Sequence, residues 1–422
     1  MRVAVVHDWL TTYGGAERVL EHILDCFPAA DVFTLVDFLE EKDRHFLRGR
    51  PVTTSIIQKL PLARSRFRYY LPFFAYAVEQ LDLTGYDLVL SSSWAVAKGV
   101  NTSAQQLHIC YCHTPIRYVW DLKEQYLEET GFKTGPKSFV LRRALFNLRQ
   151  WDVISSLPVD EFVANSRFVA DRIMKCYRRP ATVIYPPVDV LAFDHTQDKG
   201  DHYIALSRLV PYKKTHLIVE AFRRLPGHRL VVIGDGPEAK RVRAAAEGSK
   251  NIELCSHQPF DVVRQRLQTA KALVFAAEED FGIVSVEAQA AGTPVIAFGR
   301  GGSVETVRAL GEWDRPTGLF FDEQSPEEIA AAILRFEHNR PQFSAEACRA
   351  QALRFSIERF KSRFSDFVME RYDRWNRQAE SHLADGDGDG DDADDEAAGS
   401  ARDPGALPDL PDESRPRVRA LR

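Results

Sequence analysis

At 422 residues the chain is long enough for two domains with full cores. Its hydrophobic share of 45% and charged share of 27% are those of a globular protein, and no apolar run approaches the ~18 residues that span a bilayer. The net charge of -5 is unevenly spread and by itself names no partner, while six cysteines in this length are no disulfide framework, so the expected compartment is the reducing cytoplasm.

The first residues, Met1-Arg2-Val3-Ala4-Val5-Val6, meet charge too early for a signal peptide and predict a strand from Val3 to Val6 that ends at His7-Asp8. A loop holding Thr11, Thr12, Gly14 and Gly15 follows, and a helix begins near Ala16. Strand, glycine loop and helix would bring backbone N–H groups to a phosphate or sugar, or make an ordinary tight turn. The Gly-x-Gly-x-x-Gly fingerprint is not there, which weakens a dinucleotide reading. A second strand spans Asp31 to Val36.

Between Arg44 and Val78 there is no Asp or Glu, but there are Arg44, Arg48, Arg50, Lys59, Arg64, Arg66 and Arg68. Aromatic residues interleave with them, and Leu60, Phe67, Leu71, Phe74 and Val78 recur at helical spacing. Such a segment suits an anionic membrane surface. It equally suits a core-packing helix with a solvated basic face, and Pro61 and Pro72 interrupt any long helix. No nucleic-acid module surrounds it, so nucleic acid is not an expected partner.

Asp87 to Ser91 predicts a strand ending in Ser91-Ser92-Ser93-Trp94, and Leu107 to Tyr111 another, ending in Cys112-His113-Thr114-Pro115. A histidine at the C-terminal edge of a strand can meet a ligand or be structural. Cys110 and Cys112 beside it hint at a metal, but no second Cys/His cluster has ligand spacing, so no metal is expected. A helix over Arg142–Leu157, a strand over Glu161–Asn165, a helix from Ser166 and a strand over Ala181–Tyr185 complete this half. The stiff Pro186-Pro187-Val188-Asp189 and the polar stretch Asp194 to Asp201 mark a domain boundary.

His202 to Leu206 restarts the alternation. Arg208 and Lys213 lie on one loop leading into a helix over Thr215–Leu225. Two cations at a strand end beside a helix start can clamp a diphosphate, or they can be solvated loop charges. Arg229–Ile233 is a strand ending in Gly234-Asp235-Gly236-Pro237, and Asn251–Cys255 is the next. Lys271–Ala277 reads as a buried parallel strand. After it comes Glu278-Glu279-Asp280-Phe281-Gly282-Ile283, then a helix over Val284–Ala291 that contains Glu287. Glu279 and Glu287 thus sit where a strand gives way to a helix, the edge at which α/β sheets bind ligands. The plainer reading is an exposed helix start with favourable charge. Pro294–Phe298 and Gly318–Phe321 are strands, with Gly301-Gly302-Ser303-Val304-Glu305 between them. Pro326–His338 and Ala345–Leu353 are helices, and a last helix runs to about Arg377. Its face is Phe360, Phe364, Phe367, Val368 and Tyr372. The remainder is acidic and low in apolar residues, so disorder is expected from 379 to 422. Asp385, Asp387, Asp389, Gly390 and Glu396 match a calcium-loop pattern formally. It is rejected because Asp392 stands where an apolar residue belongs and no helices flank it.

Glu279, seven residues, Glu287 and the following Gly292-Thr293-Pro294-Val295-Ile296 resemble the Glu-x7-Glu signature of the family 4 retaining glycosyltransferases. Ser207-Arg208-Leu209 with Lys213 is similar to that family's Gly-Arg-Leu-x-x-x-Lys motif, with Ser207 and Lys214 at positions where glycine is common. Gly234-Asp235-Gly236-Pro237, the run from Cys112 to Trp120 and Gly301-Gly302-Ser303-Val304-Glu305 resemble its other motifs. The resemblance covers roughly residues 1–378. It implies an α/β GT-B fold: two Rossmann-like domains with parallel sheets facing across a cleft, and a C-terminal helix crossing back to the first domain. The expected division is an acceptor-binding domain at 1–190, a nucleotide-sugar domain at 191–357 and a crossover helix at 358–378.

By the same resemblance His113, Glu279, Arg208 and Lys213 are the catalytic candidates. Gly14, Gly15, Arg208, Lys213, Gly234, Gly236, Phe281, Gly282, Ile283 and Glu287 would bind the donor, with Glu287 on the ribose hydroxyls. No cofactor or metal is implied, since the donor itself is a substrate. A hydrolase acid/nucleophile pair at Glu279 and Glu287 is disfavoured, because a hydrolase needs no diphosphate clamp. The start from Val6 to Leu20, the Cys112–Trp120 run and Glu278–Ile283 look like the bacterial GDP-mannose-dependent mannosyltransferases of O-antigen and exopolysaccharide synthesis. That implies a lipid-linked glycan acceptor, a cytoplasmic protein, and contact with the inner membrane face through 44–78. A UDP-sugar donor, or a non-catalytic nucleotide-binding partner of a polysaccharide assembly complex, are the alternatives.

Overall fold

The computed structural model describes residues 1–121, 123–124, 127, 134–196 and 198–386. Continuous apolar runs form strands that are covered on both faces. β1 (Val3–His7) and β5 (Leu107–Cys112) are buried along their whole length, as parallel strands flanked by helices must be. With β2 (Asp31–Thr34), β3 (Val52–Thr54), β4 (Leu88–Ser93), β6 (Glu161–Ala164) and β7 (Thr182–Val183) they make a parallel sheet of order β3-β2-β1-β4-β5-β6-β7. Val5 pairs with Val32 on one side and Leu90 on the other.

The second sheet repeats the plan. β8 (His202–Leu206), β9 (Arg229–Ile233), β10 (Ile252–Cys255), β11 (Leu273–Phe275), β12 (Val295–Phe298) and β13 (Gly318–Phe321) are ordered β10-β9-β8-β11-β12-β13. Alternation splits the side chains between two cores. Tyr203, Ala205 and Val232 pack with Ile218, Phe222, Ile329 and Phe336 on one face. Ile204, Val231, Leu273 and Phe275 pack with Val286, Ala290, Ala352 and Phe355 on the other. In each sheet the chain winds outward from the first strand and then reverses, so crevices open beyond the β1/β4 and β8/β11 edges.

Three features differ from the expectation. β3 was not foreseen: three residues behind Pro51, at the sheet edge, are too few to show a period. The helix Pro136–Ile154 starts earlier than Arg142, because Gly135 turns with positive φ and Pro136 opens the helix. The last helix is Ile357–Gly386, so 379–386 is helical where disorder was expected; Gln378–Ala384 is free of Gly and Pro, and Gly386 is the first breaker. The expected disorder of 387–422, with most of the calcium-loop pattern, lies outside the described residues.

The basic stretch shows both of its faces. Prolines break it into short turns and helices, with Phe67, Leu71, Phe74 and Val78 buried in the first domain's core. Leu62, Tyr69, Phe73 and Tyr76 point outward, between 56% and 75% exposed, among exposed Arg64, Arg66 and Arg68. No described helix is long and apolar enough to cross a membrane.

Two compact units divide the chain, Met1–Val368 and Met369–Arg422. Both sheets and the first turns of the last helix belong to the former. Those turns dock on the first domain: Phe364 packs edge-on against Phe27 and Tyr111, and Lys361 pairs with Asp25 at 2.8 Å. Within the second unit, Arg374 pairs with Glu370 at 2.8 Å, one helical turn away.

Candidate active site

The β8 and β11 loops bring the second domain's acid and base together. Lys213 lies on the turn after β8, and Glu279 on the loop after β11; their side chains form an ion pair, 13% and 15% exposed. Burial first, and then the Arg117 guanidinium, push the Lys213 ammonium down to about 7, and the neighbouring Asp280 carboxylate works the other way. Lys214 next to it takes a left-handed backbone (φ 55°), which glycine adopts freely and lysine at a cost of ~1 kcal/mol. Arg208 is exposed and pairs with no carboxylate among the described residues. Of the two expected clamp cations, only Lys213 is assembled with Glu279.

The glycines near this loop act by close approach rather than by facing a ligand. A Cβ on Gly234 would lie 1.9 Å from the Ser207 carbonyl oxygen, and one on Gly236 2.4 Å from that of Leu209. Both therefore buttress the backbone on either side of Arg208. Gly302 does the same for Glu279: its N–H donates to the Glu279 carbonyl at 2.8 Å, and a Cβ there would meet the Phe281 Cα at 2.3 Å. The Gly301-Gly302 turn supports the acidic loop and leads directly into the helix Ser303–Thr306.

Gly282, in left-handed conformation, caps the helix Ile283–Ala290. Phe281 is buried edge-on against Phe355, so its ring packs into the core and only its backbone is left to meet a donor. Glu287 is buried and paired with Arg18 of the first domain at 2.7 Å. Ile283 lies beneath Gly15, where a Cβ would come within 3.1 Å of its Cδ1. Gly14 donates its N–H to Glu17 at 2.9 Å, the N3 half of a capping box at the start of helix Gly15–Cys26. Gly14, Gly15, Ile283 and Glu287 are thus held in one place, where the domains face each other.

His113 follows β5. Its Nε2 hydrogen-bonds Ser92 Oγ at 2.9 Å, its carbonyl accepts from Asn165, and its ring lies edge-on to Trp94 and Tyr111. Burial, with the neighbouring His7, pushes it down to about 3, so it is neutral at physiological pH. Cys110 and Cys112 point into a hydrophobic cluster with Phe162 and Val169 and do not join it. Among the described residues no group of three or more His, Cys, Asp and Glu could hold a metal ion.

Several residues at this site were not singled out in the sequence. Asp8, fully buried at the end of β1, accepts four backbone N–H groups from Trp94, Ala95, Val96 and Ala97 at 2.5–2.9 Å. It fixes the loop after β4 beside His113. Asp280 faces the first domain: Thr114 donates to it at 3.4 Å, Arg117 lies 3.5 Å away, and Ser166 donates to its carbonyl at 2.5 Å. Glu305 caps a helix of the other domain, accepting the N–H groups of Arg167 and Phe168 at 2.8 and 3.0 Å. The signal that could have found Asp8 is a carboxylate directly after a buried strand. Asp280 and Glu305 lie inside the runs Glu278–Ile283 and Gly301–Glu305, but nothing local names their partners, which lie over a hundred residues away.

Residues 13–190 match the family model described as Glycosyltransferase Family 4, and residues 192–354 match the one described as Glycosyl transferases group 1. Together the two matches take in well over half of the chain. The chain belongs to the family 4 GT-B glycosyltransferases. Among relatives of this family, a GDP-mannose-dependent alpha-(1-6)-phosphatidylinositol monomannoside mannosyltransferase of Mycobacterium tuberculosis is 35% identical over 147 residues, 31% of this chain and 36% of that protein. The chain thus spans about a third of this relative's length. Two solved structures share the GT-B fold. Sucrose-phosphate synthase from Thermosynechococcus elongatus has a TM-score of 0.66 at 16% identity, over 89% of this chain and 100% of that one. Anabaena Alr3699/HepE in complex with UDP has a TM-score of 0.64 at 16% identity, over 88% of this chain and 100% of that one.

Proposed function

We propose that this family 4 GT-B protein transfers a hexose, mannose from GDP-mannose, to a lipid-linked glycan acceptor with retention of anomeric configuration. The role would be in building bacterial surface polysaccharide, O-antigen or exopolysaccharide, on the cytoplasmic side of the membrane. The observation that carries the reading is the Lys213–Glu279 pair at the β8/β11 edge, close to the Arg18–Glu287 contact between domains. A diphosphate reaching Lys213 would replace one anion by another and free Glu279 for sugar hydroxyls. As the glycosidic bond breaks, negative charge grows on the leaving diphosphate, and Lys213, joined by Arg208, would stabilise it in a site shielded from water. Glu287 would hold the ribose. His113, neutral, would accept a hydrogen bond from a donor-sugar or acceptor hydroxyl; with a conjugate acid near 3 it is too weak a base to deprotonate an alcohol. That proton would pass to the departing phosphate oxygen on the same face, and no metal enters the proposal.

The mannose donor is favoured by the mycobacterial relative's own donor, and a UDP-sugar is the alternative. The outward aromatic and arginine side chains of 62–76 would hold the protein peripherally at an anionic inner leaflet. The test is calorimetric titration with GDP, UDP, ADP and NAD, followed by turnover of the nucleotide sugar of whichever base binds. Glu279→Ala should abolish turnover while nucleotide binding persists. Preference for UDP would overturn mannose from GDP-mannose. Unchanged turnover in Glu279→Ala would overturn the assignment of that residue, and nucleotide binding without turnover of any sugar would favour the non-catalytic partner.

A further inference from the structure

Behind His113 lies a row of buried polar groups that the proposed chemistry does not use. Ser92 Oγ, which meets His113 Nε2 at 2.9 Å, is also 3.1 Å from Nδ1 of His7. His7 Nε2 is buried, makes no hydrogen bond, and faces Glu17 Oε1 at 3.6 Å. The other oxygen of Glu17 is committed to the Gly14 N–H at 2.9 Å. Three secondary-structure elements and the loop after β5 therefore supply one line: Glu17 from the first helix, His7 from β1, Ser92 from β4 and His113. The relative exposures of Glu17, His7 and Ser92 are 6%, 1% and 0%, so water does not compete for these bonds. The Trp94 ring stands edge-on to both imidazoles and closes the side of the row. The Asp8 carboxylate beside His7 is taken up by its four N–H donors.

We infer that Glu17, His7 and Ser92 are positioning residues that fix the proton of His113 on Nε2 and leave its Nδ1 as a hydrogen-bond acceptor. This rests on the reading of His113 as the residue that meets a substrate hydroxyl. The direction follows from the acceptor at the far end. A carboxylate can only accept, so it favours a proton on His7 Nε2, which leaves His7 Nδ1 with its lone pair. Ser92 has a single hydrogen and donates it to His7 Nδ1. Its oxygen then accepts from His113 Nε2–H. Nδ1, which among the described residues makes no hydrogen bond, is the nitrogen left over. Reverse the end group and the row reverses with it: His113 would then present an N–H to the hydroxyl.

The experiment is a long-range proton–nitrogen correlation spectrum of the full chain labelled with 15N-histidine, with His113 assigned by loss of its signal in His113→Gln. The wild type should show the Nε2–H tautomer at His113. Glu17→Gln keeps its one oxygen for the Gly14 N–H and turns an NH2 donor to His7, and Ser92→Ala breaks the row. Both should convert His113 to the Nδ1–H form or to a mixture. Turnover should fall on the order of tenfold in each, a fraction of the roughly 10²–10⁴-fold that a catalytic proton-handling group contributes, with donor KM within about twofold. A wild-type His113 protonated on Nδ1, or a tautomer unmoved by both substitutions, overturns the inference. If the wild type turns over no sugar, the transferase reading fails, and the spectrum still decides whether Glu17 governs His113.

Discussion

Lys213→Ala removes the one cation that, among the described residues, is set against Glu279. The side chain is 13% exposed, so screening by water is weak. At an effective dielectric of ~20, a unit charge ~4 Å away is worth about 4 kcal/mol. Only the part that grows during the reaction lowers the barrier: the diphosphate gains one negative charge as the sugar leaves it. The expected loss is therefore ~2.7–4 kcal/mol, or ~10²–10³ in kcat, comparable with removal of one donor from an oxyanion hole. Steady-state turnover at saturating acceptor measures it, and the donor KM should move far less. A kcat within about threefold of wild type would refute the role of Lys213. A second readout concerns the proton. With its ammonium pushed down to about 7, free Lys213 is largely neutral above that pH, and a bound diphosphate restores the charge. Binding of a nucleoside diphosphate near pH 8 should then take up a proton, and affinity should fall as pH rises through about 7. Calorimetry in two buffers of different ionisation enthalpy measures the uptake, which Lys213→Ala should abolish. If the wild type takes up no proton, Glu279 keeps the lysine charged without the ligand.

Asp8→Ala leaves four buried N–H groups without their acceptor; at ~1–3 kcal/mol for each unsatisfied group, partly offset by water, unfolding in urea should show a loss of at least ~3 kcal/mol. Gly302→Ala forces a Cβ to 2.3 Å from the Phe281 backbone and should cost ~1–3 kcal/mol of stability along with turnover. Gly227→Ala, with nothing within 4 Å, is the control that should leave both unchanged. Reversing Arg64, Arg66 and Arg68 to Glu should abolish flotation with anionic vesicles, since each basic residue near such a surface contributes about 1 kcal/mol; flotation that survives the reversal would rule out membrane attachment through this stretch.

The strands that are covered on both faces were legible as sequence. His202–Leu206, Arg229–Ile233 and Gly318–Phe321 each run for the whole of an apolar or aromatic segment with no other reading. The order of the strands was not, because parallel neighbours such as β1 and β4 lie more than eighty residues apart and nothing local names the partner. The placement of the candidate residues was legible where polar groups concentrate after strand ends, as at Lys213, Glu279 and His113. It was illegible where a residue acts on a distant backbone, as Asp8 does on the loop after β4. Phe281 adds what a motif does not spell out: its ring packs on Phe355 and anchors the loop that carries Glu279.

The contacts of Asp280 and Glu305 with the first domain bear on how such proteins could be recombined. The two family matches meet near residue 190, which is the obvious place to join one protein's first half to another's second half. A fusion there restores the chain but not the fit, because Glu305 finishes a helix that begins at Arg167, and the Asp280 carbonyl takes the hydroxyl of Ser166. Chimeras meant to exchange one sugar for another should therefore inherit Thr114, Arg117, Ser166, Asp280 and Glu305 as a set, whichever parent supplies the rest.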